Sequence, residues 1–120
     1  MSTEKRTAAA AIEQLVDKLG ETEAIEMLEF ALPLIVERES NLTDQLLSGN
    51  LAEAAKYAHK TISSIRLYGS SELENLLQAV KDVKNHAQAL ALQPRLSKEF
   101  NLTINVVKNY LHEHTPANKI

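Results

Sequence analysis

Residues 51–71 read LAEAAKYAHKTISSIRLYGSS. At about 100° per residue around a helix, Leu51, Ala54, Ala58, Ile62 and Ile65 fall on one stripe. That spacing predicts an amphipathic helix from Leu51 to about Tyr68. It begins after the turn signal Ser48-Gly49-Asn50 and is interrupted by Gly69-Ser70-Ser71. A helix with one narrow apolar stripe needs partners, and the rest of the chain supplies helical periodicity on both sides.

Upstream, about residues 4–19 form an alanine-rich helix with Ile12, Leu15, Val16 and Leu19 in register, stopped by Gly20. Thr22 is placed to cap a short second helix carrying Ala24, Ile25, Leu28 and Leu32. Proline is costly inside a helix and harmless in its first turn. A break is therefore expected at Ala31–Pro33, with a third helix from Pro33 to Leu47 using Ile35, Val36, Leu42, Leu46 and Leu47. Downstream, Ser71 with Glu74 forms a capping-box pattern. It opens a helix ending near Ala91, with Leu73, Leu76, Leu77, Val80, Val83, Ala87 and Leu90 as its stripe. Pro94 opens the last helix, with Leu96, Phe100, Ile104, Val107 and Leu111 on one face. Residues 114–120 read as a frayed tail.

Composition agrees with this reading. Three glycines and three prolines in 120 residues are too few turn formers for a sandwich or barrel. Aromatics at 4% leave the core to aliphatic side chains. The expected architecture is all-α: an up-down-up-down four-helix bundle spanning about 22–112, with short N-terminal helices capping one end. One domain covers 1–120. A net charge of −3 argues against nucleic acid as a partner. With no cysteine there is no thiolate metal site and no thiol nucleophile, which fits a reducing compartment. No apolar run reaches the length of a membrane span, and the first residues lack the apolar core of a secretory leader. A cytoplasmic protein, monomeric and not membrane-bound, is expected.

His59 is the residue of this scaffold with chemistry to offer. It sits about a quarter turn from the centre of the apolar stripe, where its ring is expected to be partly exposed. Ser63 and Arg66 follow at i+4 and i+7, and Lys56 and Lys60 flank it. As a general base it lacks an orienting carboxylate on its own side, since Glu53 lies on another face. As a metal ligand it lacks a second ligand at i+4, and the cations oppose a metal ion. A phosphoryl acceptor needs an accessible ring nitrogen, room for a donor, and positive charge against the phosphoryl oxygens. Ser63 offers the room; Lys56, Lys60 and Arg66 offer the charge. A plain solvated surface histidine remains the alternative on geometry alone. His86 reads as a surface or partly buried side chain, and His112 and His114 do not form a helical metal clip.

The stretch Ala58-His59-Lys60-Thr61-Ile62-Ser63-Ser64-Ile65-Arg66-Leu67-Tyr68-Gly69 resembles the signature A-H-x-L-K-G-S-[SA]-x-x-x-G of histidine-containing phosphotransfer (HPt) domains. The match lies at Ala58, His59, Ser64, Gly69 and a small residue at Ser63. Leu28-Glu29-Phe30-Ala31-Leu32-Pro33 and Leu46-Leu47-Ser48-Gly49-Asn50 resemble the family's flanks, and the similarity runs over about 22–112. The resemblance implies a four-helix phosphoryl carrier rather than a turnover enzyme. His59 would accept and donate the phosphoryl group, with Ser63, Arg66, Lys60 and Lys56 in support. The implied partners are a response-regulator receiver domain, a hybrid sensor histidine kinase, or both. No cofactor is expected on this chain, and Mg²⁺ is expected on the receiver. The family's lysine three residues after the histidine is Ile62 here, its leucine is Thr61, and its glycine is Ser63. A docking module of the same fold that binds a receiver or kinase without carrying phosphate is the second expectation.

Overall fold

The computed structural model describes residues 5–114, of which 89% are helical, with no strand among them. Five helices pack compactly in the order α1 (Ala8–Leu19), α2 (Glu21–Ser48), α3 (Leu51–Tyr68), α4 (Ser71–Lys81) and α5 (His86–His114). The backbone measures 47 × 39 × 19 Å, and its short dimension admits two layers of helices. Helix α2 lies along α5 and α3, α4 packs on α3 and α5, and α1 touches α2, α3 and α5. One cluster of buried side chains, among them Leu28, Leu42, Leu46, Ile65, Leu73, Leu77 and Phe100, runs through the centre. None of the described helices is long and apolar enough to cross a membrane.

Both expected proline boundaries are absent. Helix α2 continues through Pro33, and α5 continues through Pro94. A proline removes the hydrogen bond to the carbonyl four residues back, here Glu29 and Leu90, at about 3 kcal/mol. Pro33, Glu29, Pro94 and Leu90 all lie on exposed faces, where water reaches the freed carbonyls. Meanwhile Leu28 and Ile35 on either side of Pro33, and Leu92 and Leu96 on either side of Pro94, are buried. At about 1.5–3 kcal/mol for each buried aliphatic side chain, keeping both flanks in the core outweighs the break. Thr22 consequently lies within the first turn of α2, whose N-cap is Gly20.

The expected helix over 71–91 is also divided. Helix α4 stops at Lys81, and residues 82–85 form a connection before α5. Asn85 caps the new helix, its side-chain oxygen accepting from the Gln88 N–H at 2.9 Å, while the Gln88 side chain accepts from the Lys84 N–H at 2.7 Å. The apolar register shifts across this break, so Ala89, Leu92 and Leu96 are buried while Ala87 and Leu90 are exposed. At the start of α4 the cap is Ser70 rather than Ser71, its Oγ accepting from the Leu73 N–H at 3.0 Å. Two further stripe residues, Val36 and Leu47, are exposed on α2, as is Leu19 on α1.

Gly20 and Gly49 take positive φ, at 86° and 78°. Gly49 closes α2 with the Asn50 N–H donating to Gln45 and the Gly49 N–H to Leu46, at 2.9 and 3.2 Å. Asn50 itself keeps negative φ and caps α3. Helix α1 starts at Ala8, later than the expected residue 4, capped by Thr7. Residues 1–4 and 115–120, the latter comprising most of the expected frayed tail, lie outside the described residues.

Candidate phosphoryl-acceptor site on helix α3

Helix α3 is oriented by its buried stripe: Ala54, Ala58, Thr61, Ile62, Ile65 and Tyr68 face the core. That leaves Lys56, His59, Ser63 and Arg66, spaced three, four and three apart, on the opposite, exposed side. Lys60 is exposed beside them. His59 is therefore an exposed residue of this helix. Among the described residues, no side chain hydrogen-bonds either of its ring nitrogens.

The sequence-predicted site residues share a face but do not converge on His59. Arg66 donates through Nε to Glu74 Oε2 at 2.7 Å, tying α3 to α4. Lys56 pairs with Glu53 at 3.3 Å. The Lys60 ammonium stands 5.9 Å from the centre of the Tyr57 ring, a cation–π distance. Ser63 is exposed one turn beyond the histidine.

Ile62 is 5% exposed and belongs to the buried stripe of α3. At this place on α3 the side chain enters the core, where burying an unpaired ammonium would be costly. Thr61 is buried too, and its hydroxyl is used twice. It donates to the Tyr57 carbonyl at 2.6 Å and accepts from Arg38 Nη1 of α2 at 3.2 Å. Beside it, burial pushes the Tyr68 hydroxyl above its ordinary value, partly offset by the Ser64 hydrogen bond and the Arg38 charge. Leu34, Ile35, Arg38, Thr61, Ser64, Ile65 and Tyr68 line a cavity of about 40 Å³, room for a water rather than a substrate.

Gly69 caps the end of α3, and the space around it favours glycine. Its φ is −108°, but a Cβ there would meet Ile65 Cγ2 at 2.6 Å and the Ile65 carbonyl at 3.0 Å. Into this close corner comes the N-terminal segment. Arg6 donates through Nε to the Gly69 carbonyl at 2.8 Å and through Nη2 to Glu74 Oε1 at 3.3 Å. The Arg6 N–H donates to Ser71 Oγ at 2.6 Å, and the Ser71 N–H returns to the Arg6 carbonyl at 2.8 Å. Glu74 thus serves two guanidiniums. Burial alone would raise its carboxyl, but hydrogen bonds from Arg66 and Arg6, reinforced by their charge, hold it below the usual carboxylate range. Arg6 and Arg38 escape a reading of the sequence, because each meets its partner through tertiary contact and carries no local spacing signal.

The remaining histidines have other places. His86 Nε2 lies 2.9 Å from the Leu47 carbonyl at the end of α2, with its ring against Gly49, and His114 stacks on Tyr110 at 4.1 Å. Among the described residues, no three His, Asp or Glu side chains are grouped to hold a metal ion. The chain matches no protein-family model, no curated protein and no solved structure.

Proposed function

We propose that this chain is a phosphoryl carrier of the HPt kind, receiving a phosphoryl group on His59 from the aspartyl phosphate of a receiver domain and returning it. The observation that carries this reading is the exposed, unengaged imidazole of His59 at mid-helix, with small Ser63 one turn on. The unengaged ring leaves a nitrogen lone pair available for in-line attack. As that pair forms the N–P bond, the bond from phosphorus to the aspartyl oxygen breaks and its electrons leave with the carboxylate. The ring N–H proton is then free to dissociate. Phosphoryl transfer rests on positioning and charge neutralisation. The Mg²⁺ and the acidic site belong to the receiver in this reading, and the chain contributes the nucleophile and nearby cations.

In the same reading, α2, α3, α4 and α5 are the four helices of an up-down-up-down bundle, and α1 is the N-terminal cap. A receiver domain, a hybrid sensor kinase, or both are the partners, and the cytoplasm is the compartment. Incubation with a phosphorylated receiver should give acid-labile phosphate on the wild-type chain and none on His59→Gln. Equal labelling of the two proteins would sink the assignment.

A docking module that binds a receiver without accepting phosphate is the second reading. It is favoured by the buried Ile62 and by Arg66 and Lys56 each being held by a carboxylate. Exposed Phe30, Leu34 and Leu67 would supply its apolar contacts. Receiver binding unchanged by His59→Ala, with no labelling from any donor, would select it.

A further inference from the structure

We propose that Glu74 is a positioning residue that holds Arg66 in reserve and yields it to the phosphoryl group once His59 is phosphorylated; this rests on the carrier reading above. The two guanidiniums on Glu74 are unequally held. Arg6 is fastened at its Nε, Nη2 and backbone, and its side chain is 24% exposed. Arg66 has the single Nε contact, leaving its Nη groups uncommitted, and its side chain is 57% exposed. An exposed ion pair of this kind is weak and exchanges readily. When Arg66 departs, Arg6 still neutralises Glu74, so the carboxylate is not left bare.

Arg66 and His59 lie on the same exposed stripe, two turns or about 10.5 Å apart along the helix axis. Side chains on a helix lean toward its N-terminus, which for Arg66 is the direction of His59. A phosphorylated histidine presents strong acceptor oxygens and nearly two negative charges, a better partner for a guanidinium than a shared carboxylate. The other cations have local attachments, Lys56 to Glu53 and Lys60 over Tyr57, and position 62 carries a buried isoleucine.

The test loads the full chain chemically with phosphoramidate, so no receiver is involved, and assigns the phospho-His59 signal in ³¹P NMR by its loss in His59→Gln. The titration midpoint of the phosphoryl group is then followed in wild type, Arg66→Ala, Glu74→Gln and the double variant. Arg66→Ala should raise the proton affinity of the phosphoryl group about two- to fivefold, the range of an exposed charge pair. Glu74→Gln should lower it, and that effect should vanish in the Arg66→Ala background. An unchanged midpoint in Arg66→Ala overturns the proposal. So does an equal effect of Glu74→Gln in both backgrounds, which would mark simple removal of a distant charge. A null cycle on the loaded protein leaves the carrier reading standing, and failure to accept phosphate from receivers leaves the cycle standing. A His59 that phosphoramidate cannot load overturns both.

Discussion

Gly69 illustrates how one residue's role depends on what lies against it. Its backbone angles are open to other residues, yet the Ile65 side chain occupies the space of a Cβ. Gly69→Ala is expected to lower stability by about 1–3 kcal/mol, the usual cost of overpacking, visible as a reduced urea midpoint with an unchanged slope. Thr61 gives a second case. Thr61→Val keeps the buried volume but removes the hydroxyl that receives Arg38. A loss of about 1 kcal/mol is expected, with His59 labelling intact because the ring lies on the opposite, exposed side. His59 itself was legible as the reactive candidate from helix geometry. Local spacing accommodates the attachments of Lys56 and Lys60, whose partners Glu53 and Tyr57 each lie three residues away on the same helix, but not that of Arg66, whose partner Glu74 is on α4.

At the level of elements, apolar periodicity located the α1, α3 and closing stripes, and local chemistry located the Gly20, Gly49 and Gly69 boundaries. The two prolines misled because their cost is local while the burial that overrides it is distributed along 28- and 29-residue helices. Pro33→Ala should therefore stabilise the protein. It regains about 3 kcal/mol of helix propensity and loses up to about 1 kcal/mol through a freer unfolded chain, for a net gain of about 2 kcal/mol in urea unfolding. A destabilised variant would show that the proline geometry is needed by the packing of α2. The break at 82–85 had its own sequence signal, Asn85 followed by Gln88, which was hidden because leucines and valines continue through it at helical steps.

At the scale of the whole molecule, Glu74 joins three parts of the chain: the segment before α1, the end of α3 and the first turn of α4. Because its carboxyl is held below the usual range, the folded form binds that proton less tightly than the unfolded form does. The resulting stabilisation is present above the unfolded value of about 4.3 and is lost as pH falls through the lower folded value. The urea midpoint should drop on acidification through that window, and the drop should be smaller in Glu74→Gln. Equal acid sensitivity in the two proteins would remove Glu74 as the cause. Arg6→Ala should detach the N-terminal segment, detected as faster amide exchange at Ser71, whose N–H bonds the Arg6 carbonyl.

The sequence by itself determined that the chain is helical, where most of its apolar faces lie, and that His59 stands outside the core stripe of α3. These follow from periodicity and turn chemistry, which act over a few residues. Tertiary structure decided that α2 and α5 run unbroken through their prolines, that Thr61 meets Arg38, and that Arg66 is held by Glu74. It also brought Arg6 to a carboxylate 68 residues away. Such outcomes depend on which surfaces are buried together, and that is decided by the packed whole rather than by any local spacing.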